Sequence, residues 1–120
     1  MNLAILNTPA DLVIAHDPGG LVSAYAAKVL ALMLSHGHVA ILGLCASACT
    51  LVLSLPADQL CAGPQAVLGF HAASDGPDGA MTRLMFADYP PALQARLGAL
   101  GEQTVWLRQP EISHFVRPCV

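Results

Sequence analysis

Charge is what this chain has least of. Only 11% of its 120 residues are Asp, Glu, Lys or Arg, against roughly a quarter in an ordinary soluble domain. Five basic and eight acidic groups leave a formal charge of −3. That gives nucleic acid nothing to bind by bulk electrostatics, and no nucleic-acid partner is expected. Aromatic residues are also few, at 5%, and Tyr25 and Trp106 read as packing residues rather than ligand platforms. No internal repeat or low-complexity segment is visible. The N-terminus, MNLAILNTPADLV, lacks a basic flank and meets Asp11 directly after its short apolar run, so it makes a poor signal peptide.

What is abundant is apolar surface, at 55% of residues. A chain of this length makes one domain with an ordinary core. With so little charge it would leave apolar patches exposed as a monomer. A homo-oligomer is therefore expected, with membrane contact the less favoured outlet. The 18 residues 39–56 carry no charge, which is the lower limit for a spanning helix. Gly43, Ser47, Thr50, Ser54 and Pro56 interrupt that run, and a strand followed by a turn and a short buried helix would give the same hydropathy.

The order of elements suggests an α/β domain. Residues 11–15 (DLVIA) form a short strand ending at HDPGG, where Gly19 and Gly20 give close backbone access. Residues 21–35 hold no helix breaker and read as a helix that is apolar nearly all round and wants cover on several sides. His36–Gly37 supplies its stop. Residues 39–42 (VAIL) read as a second strand, 48–55 as a helix, and 66–70 (AVLGF) as a third strand ending at His71. Strand, helix and strand make a βαβ unit with parallel strands. Two helix starts and one strand end then meet at the carboxyl edge of the sheet, where open α/β folds place ligands. SDGPDGA (74–80) is a polar loop. Residues 81–87 and 91–100 are helix candidates split by Tyr89–Pro90–Pro91, and one more helical turn fits before Pro118.

Cys45, Cys49, Cys61 and Cys119 permit three disulfide connectivities, and buried free thiols are the leading reading ahead of any of them. Cys45 and Cys49 with His36, His38 or His71 include zinc-ligand chemistry, but a second paired cluster is missing. No metal and no cofactor is expected. His36 and His38 flank the helix-ending glycine and read as solvated.

The stretch GLCASACTLVL (43–53) places Ser47 at the first turn of a buried helix. There the unpaired N–H groups and positive helix end would favour an oxyanion. The Ala48 N–H would face the same space, and the diglycine turn is the natural source of a second donor. Each such donor is worth about 3 kcal/mol in the transition state. His71 is the candidate base if it comes within about 3 Å of the Ser47 hydroxyl. His16 also stands at a strand end, where it reads as a polar strand-end residue ahead of a lining of the same cleft.

DPGGLVSA, GLCASACTLVL and AVLGFHAAS, in that order, resemble the Clp protease proteolytic subunit and its superfamily, which includes the crotonases. More closely they resemble small ClpP-like bacterial proteins of periplasmic type, which carry G-x-C-x-S-A-C-T and G-F-H. The intervals are 27 residues from Gly20 to Ser47 and 24 more to His71. The likeness spans residues 11–74 well, and YPPALQARL and WLRQPEI extend it more weakly. It implies a ClpP/crotonase-like spiral of β-β-α and βαβ units around a mainly parallel sheet. That fold would be shortened at the N-terminus, because the family has a strand and helix before the segment matching Asp11. It implies Ser47 as nucleophile, His71 as general base and the Gly20 and Ala48 amides as oxyanion hole. Peptide or protein substrates would be cleaved through an acyl-enzyme, and the relatives suggest export. The alignment puts Thr104 where the family's aspartate stands. Glu102, Glu111, Asp75 and Asp78 are out of register, so the third triad member is unassigned. A serine hydrolase, of peptidase type in the family's sense, is the leading expectation. The alternative is an inactive ClpP-like protein that binds peptide or assembles with partners; acyl-CoA chemistry ranks below both.

Overall fold

The structure is a computed structural model that describes residues 10–120. Most of the N-terminal segment that makes a poor signal peptide lies outside the described residues. Strand β1 (Leu12–Asp17), helix α1 (Val22–Ser35) and strand β2 (Val39–Ala46) form the expected βαβ unit, and β1 runs parallel to β2. The first half of β2 pairs in parallel with β3 (Leu60–Ala62), and its second half pairs in parallel with β4 (Val67–Phe70). Strand β5 (Val105–Arg108) adds to β4 antiparallel. The result is a mixed, mostly parallel five-stranded sheet in an α/β fold, with β1 and β5 at its edges.

Between β2 and β3 lie 3-10 helices at Ser47–Ser54 and Ala57–Gln59. Helices α2 (Ala80–Asp88) and α3 (Pro91–Leu97) come after β4. A last 3-10 turn covers Glu111–His114. The uncharged run 39–56 is therefore a strand and a 3-10 helix, not a membrane span. No helix among the described residues is long and apolar enough to cross a membrane.

Residues 47–55 do not make the α-helix the sequence suggests. Eight residues of 3-10 helix is long for this tight geometry. Side chains account for part of it. The hydroxyls of Thr50 and Ser54 donate to the carbonyls three residues back, Ser47 and Leu51, at 2.6 and 2.7 Å. Residues 48–53 are all buried, so this segment fills the core where an amphipathic helix would have covered it.

The core joins Ile41 and Cys45 of β2, Leu68 and Phe70 of β4, Leu107 of β5, and Leu93 and Ile112 from the helical layer. Phe70 meets Tyr89 edge to face at 5.4 Å, a geometry that adds about 1 kcal/mol to simple burial. Trp106, paired with Gly69 across β4 and β5, lays its ring where a Cβ on Gly69 would stand.

All four cysteines are paired, Cys45 with Cys49 and Cys61 with Cys119. The second bridge closes a separation of 58 residues and ties β3 to the C-terminal tail. A link of that span restricts the unfolded chain by about 4 kcal/mol.

Helix α1 ends as expected, but His36, not Gly37, takes the left-handed conformation, with φ 55°. Gly37 is needed for another reason, because a Cβ there would sit 2.7 Å from Leu32. The buried Gln59 amide donates to the carbonyls of Leu32 and Gly37, satisfying the end of the helix.

Candidate active site at the carboxyl edge of the sheet

A bulge prepares the end of β2. Ile14 pairs with Ile41 but His16 pairs with Leu44, so β2 carries one extra residue opposite Ala15. Gly43 makes room for it, since a Cβ there would overlap the Ala15 carbonyl. Bulges of this kind re-aim the next few residues of the strand, and here those are Cys45, Ala46 and Ser47.

Ala46 is extended, and Ser47 then turns into the left-handed region with φ 56°. A non-glycine residue in that region costs about 1–3 kcal/mol and persists only where its surroundings over-determine it. Three contacts do so. Thr50 Oγ1 donates to the Ser47 carbonyl at 2.6 Å. The Cys45–Cys49 disulfide spans the turn with Ser47 at its centre. The diglycine segment presses against it from the other side.

That pressure falls on Gly19. Its φ is +102°, and an added Cβ would lie 2.7 Å from the Ser47 Cβ and 3.1 Å from the Ala48 nitrogen. The sequence singled out the diglycine for backbone access; the close approach belongs to Gly19, while Gly20 is next to it in the open. Asp17 fixes this turn by accepting hydrogen bonds from the Gly19 N–H at 2.9 Å and the Tyr25 hydroxyl at 2.6 Å. The bond to Asp17, with some burial, pushes the Tyr25 phenol up to about 12, so it stays a donor.

Tyr89 completes the support from below. Its hydroxyl lies 2.6 Å from Thr50 Oγ1. The single Thr50 proton is directed to Ser47, so Tyr89 is the donor of the pair. Burial pushes the Tyr89 phenol up to about 12. Neither Thr50 nor Tyr89 had a sequence signal for this role, because the two stand 39 residues apart.

His71 comes directly after β4, half-buried, with Nδ1 2.7 Å from the Ala72 carbonyl. A carbonyl only accepts, so Nδ1 carries the proton in this contact. The Ala72 N–H in turn donates to the Gly101 carbonyl at 2.7 Å. Buried Thr82 anchors the loop beyond, accepting from the Ala73 N–H and facing Asp75 and the Gly76 carbonyl.

One open cavity of about 380 Å³ gathers Gly20, Leu21, Val22, Ser23, Ser47 and the segment from His71 to Ser74, with Met81 on its wall. Three of the four expected site residues, Gly20, Ser47 and His71, thus share a single pocket, while the fourth, Ala48, is wholly buried and does not line it. No protein-family model matches the chain, and no curated protein matches it. The arrangement must be judged on its own geometry.

The remaining candidates are elsewhere. His16 borders a separate depression along β1 with Tyr25 and Lys28 and does not line the cavity of Ser47 and His71. Asp75 is occupied as a cap of α2, where the Met81 N–H, with a smaller contribution from Thr82, holds its carboxyl below the usual range. Glu111 pairs with Arg96, whose guanidinium likewise holds it low. Thr104 directly precedes β5, and it does not line the cavity of Ser47 and His71. Among the described residues no group of three His, Cys, Asp or Glu side chains could hold a metal ion.

Proposed function

We propose that this protein is a serine hydrolase acting on peptide-like acyl substrates, with a ClpP/crotonase-like arrangement of its sheet and helices. The observation that carries the reading is that Ser47, His71 and Gly20 line one cavity, with Ser47 held on a left-handed turn. A nucleophile displayed on a strained strand-to-helix turn is exposed to substrate while its own backbone amides stay available.

Catalysis begins when Ser47 Oγ attacks the substrate carbonyl carbon while His71 Nε2 takes its proton. The oxyanion accepts hydrogen bonds from the Ala48 and Gly20 N–H groups. Collapse expels the amine, which leaves with the proton from His71, and the acyl group stays on Ser47. Water, deprotonated by His71, then attacks the acyl carbon, and the bond to Ser47 Oγ breaks as His71 returns the proton to that oxygen and the acid is released. The Ala72 carbonyl does for Nδ1 what a carboxylate does in a triad, holding the tautomer in which Nε2 is the base. It lacks the charge that would stabilise an imidazolium, so a modest rate is expected.

That missing charge favours the second reading, a ClpP-like protein that binds peptide without cleaving it. Labelling with a fluorophosphonate separates the two. The wild-type protein should label at one site, and Ser47→Ala and His71→Ala should each cut the rate by about a thousandfold or more. A folded wild-type protein that does not label overturns catalysis in favour of binding.

A further inference from the structure

We infer that the Cys45–Cys49 disulfide is a positioning element for Ser47, so that the reactivity of the site is conditional on an oxidising environment. The part concerning reactivity rests on the hydrolase reading; the part concerning conformation does not. The bridge joins the strand to the 3-10 helix across a separation of four, with Ser47 midway. Cys45 is held on both sides, paired with Asp17 of β1 and Leu68 of β4. Cys49 belongs to the segment that must reverse direction. Linking them leaves the intervening Ala46–Ser47–Ala48 few ways to cross, and the left-handed Ser47 is the one observed.

A bridge this short removes little freedom from the unfolded chain compared with one spanning 58 residues. Its effect is therefore local and falls on the serine. With the bridge open, only the Thr50 hydroxyl and the packing of Gly19 would hold Ser47, and an ordinary right-handed conformation becomes accessible. The nucleophile would then turn away from His71 and the Gly20 amide.

Cys45 and Cys49 are wholly buried, whereas Cys61 and Cys119 are partly exposed. The peripheral pair therefore yields first to a reductant. A dithiol opens the inner pair in two steps. One of its thiolates attacks a bridge sulfur to form a mixed disulfide, and its second thiolate closes a cyclic disulfide. Cys45 and Cys49 are released as thiols with the two electrons the dithiol gives up.

The test compares wild-type protein with Cys45→Ala/Cys49→Ala and with Cys61→Ala/Cys119→Ala. It reads the fluorophosphonate labelling rate and the 13Cα and 13Cβ NMR shifts of Ser47. In the inner variant labelling should fall about 100-fold, the scale of a small misplacement of a reacting group, and the Ser47 shifts should leave their left-handed values. The outer variant should keep both. Unchanged Ser47 shifts in the inner variant overturn the inference, as does unchanged labelling. If no version labels, wild type included, the hydrolase reading fails and the Ser47 shifts alone decide the conformational claim. Should the inner variant not fold, dithiol reduction and reoxidation of the Cys61→Ala/Cys119→Ala protein, which holds the inner bridge alone, supply the same two measurements.

Discussion

Ser47 and Gly19 are two halves of one local problem. The serine needs a torsion that side chains resist, and it can adopt it only if the neighbouring loop comes within contact of its Cβ. Gly19→Ala brings a methyl to 2.7 Å from both the Ala46 oxygen and the Ser47 Cβ, at a φ of +102°. Strain and overpacking together should cost about 3 kcal/mol of stability and displace the serine. Gly20→Ala meets only the Tyr25 ring, at 3.3 Å. It keeps the backbone N–H proposed as oxyanion donor, so stability should hold within about 1 kcal/mol and labelling should persist. Urea unfolding and labelling of the two variants check this; equal damage from both would contradict the division of roles. The sequence pointed to the diglycine, Ser47 and His71 because all lie where strands end, and strand ends show as breaks in apolar runs. The partners of those residues were hidden for physical reasons. A backbone acceptor such as the Ala72 carbonyl has no residue type, and the Thr50–Tyr89 contact depends on how distant segments pack.

Among the elements, α2 shows how a loop without regular structure is held in place beside the site. Asp75 accepts from the Met81 N–H at 2.7 Å and faces the Thr82 hydroxyl at 3.0 Å. Gly79 is bare because a Cβ would overlap the Asp75 carboxylate. The carboxyl is held below its ordinary value of 3.8, first by Met81. A depressed folded pKa gives stability that is present above the unfolded value and lost as pH falls through the folded one. Asp75→Asn should therefore be less stable than wild type at neutral pH, and the gap should close as pH drops below 3.8. Thermal unfolding across that acid range checks it; a gap independent of pH would mean that the charge is irrelevant to the cap. A residual acid slope should survive in the variant, since Arg96 depresses Glu111 in the same sense. Strand β1, helix α1 and the first half of β2 could be read in advance because each is an unbroken apolar run, whereas β2 continues past the expected end at Leu42 to Ala46, through the bulge at Gly43. Strand β3 has three residues and β5 four, too short for periodicity, and each exists only through pairing with a distant strand. The 3-10 helix was also out of reach, because the choice between it and an α-helix turns on two hydroxyls and a disulfide.

At the scale of the whole molecule, the shortage of charge has a location. Only Val29 of the 14 residues in α1 is buried. Leu30 and Leu34 on that helix are 56% and 75% exposed, and Val13 on β1 is 52% exposed. Strand β1 is also an edge, with one side lacking a partner strand among the described residues. An exposed apolar helix face and an unpaired strand edge are each features that soluble proteins normally cover or charge. We propose that a second copy of the chain covers the exposed face of α1, because an apolar face needs no charged partner and the chain has little charge to offer one. Each leucine buried in such a contact is worth about 1.5–3 kcal/mol. Leu30→Glu/Leu34→Glu should therefore shift the protein to monomer while leaving its thermal stability nearly unchanged, since neither side chain packs in the core. Light scattering after size exclusion reads the mass directly. A wild-type protein that is already monomeric at high concentration would refute the self-association, and the site beside the first turn of α1 would then have to function in a single chain.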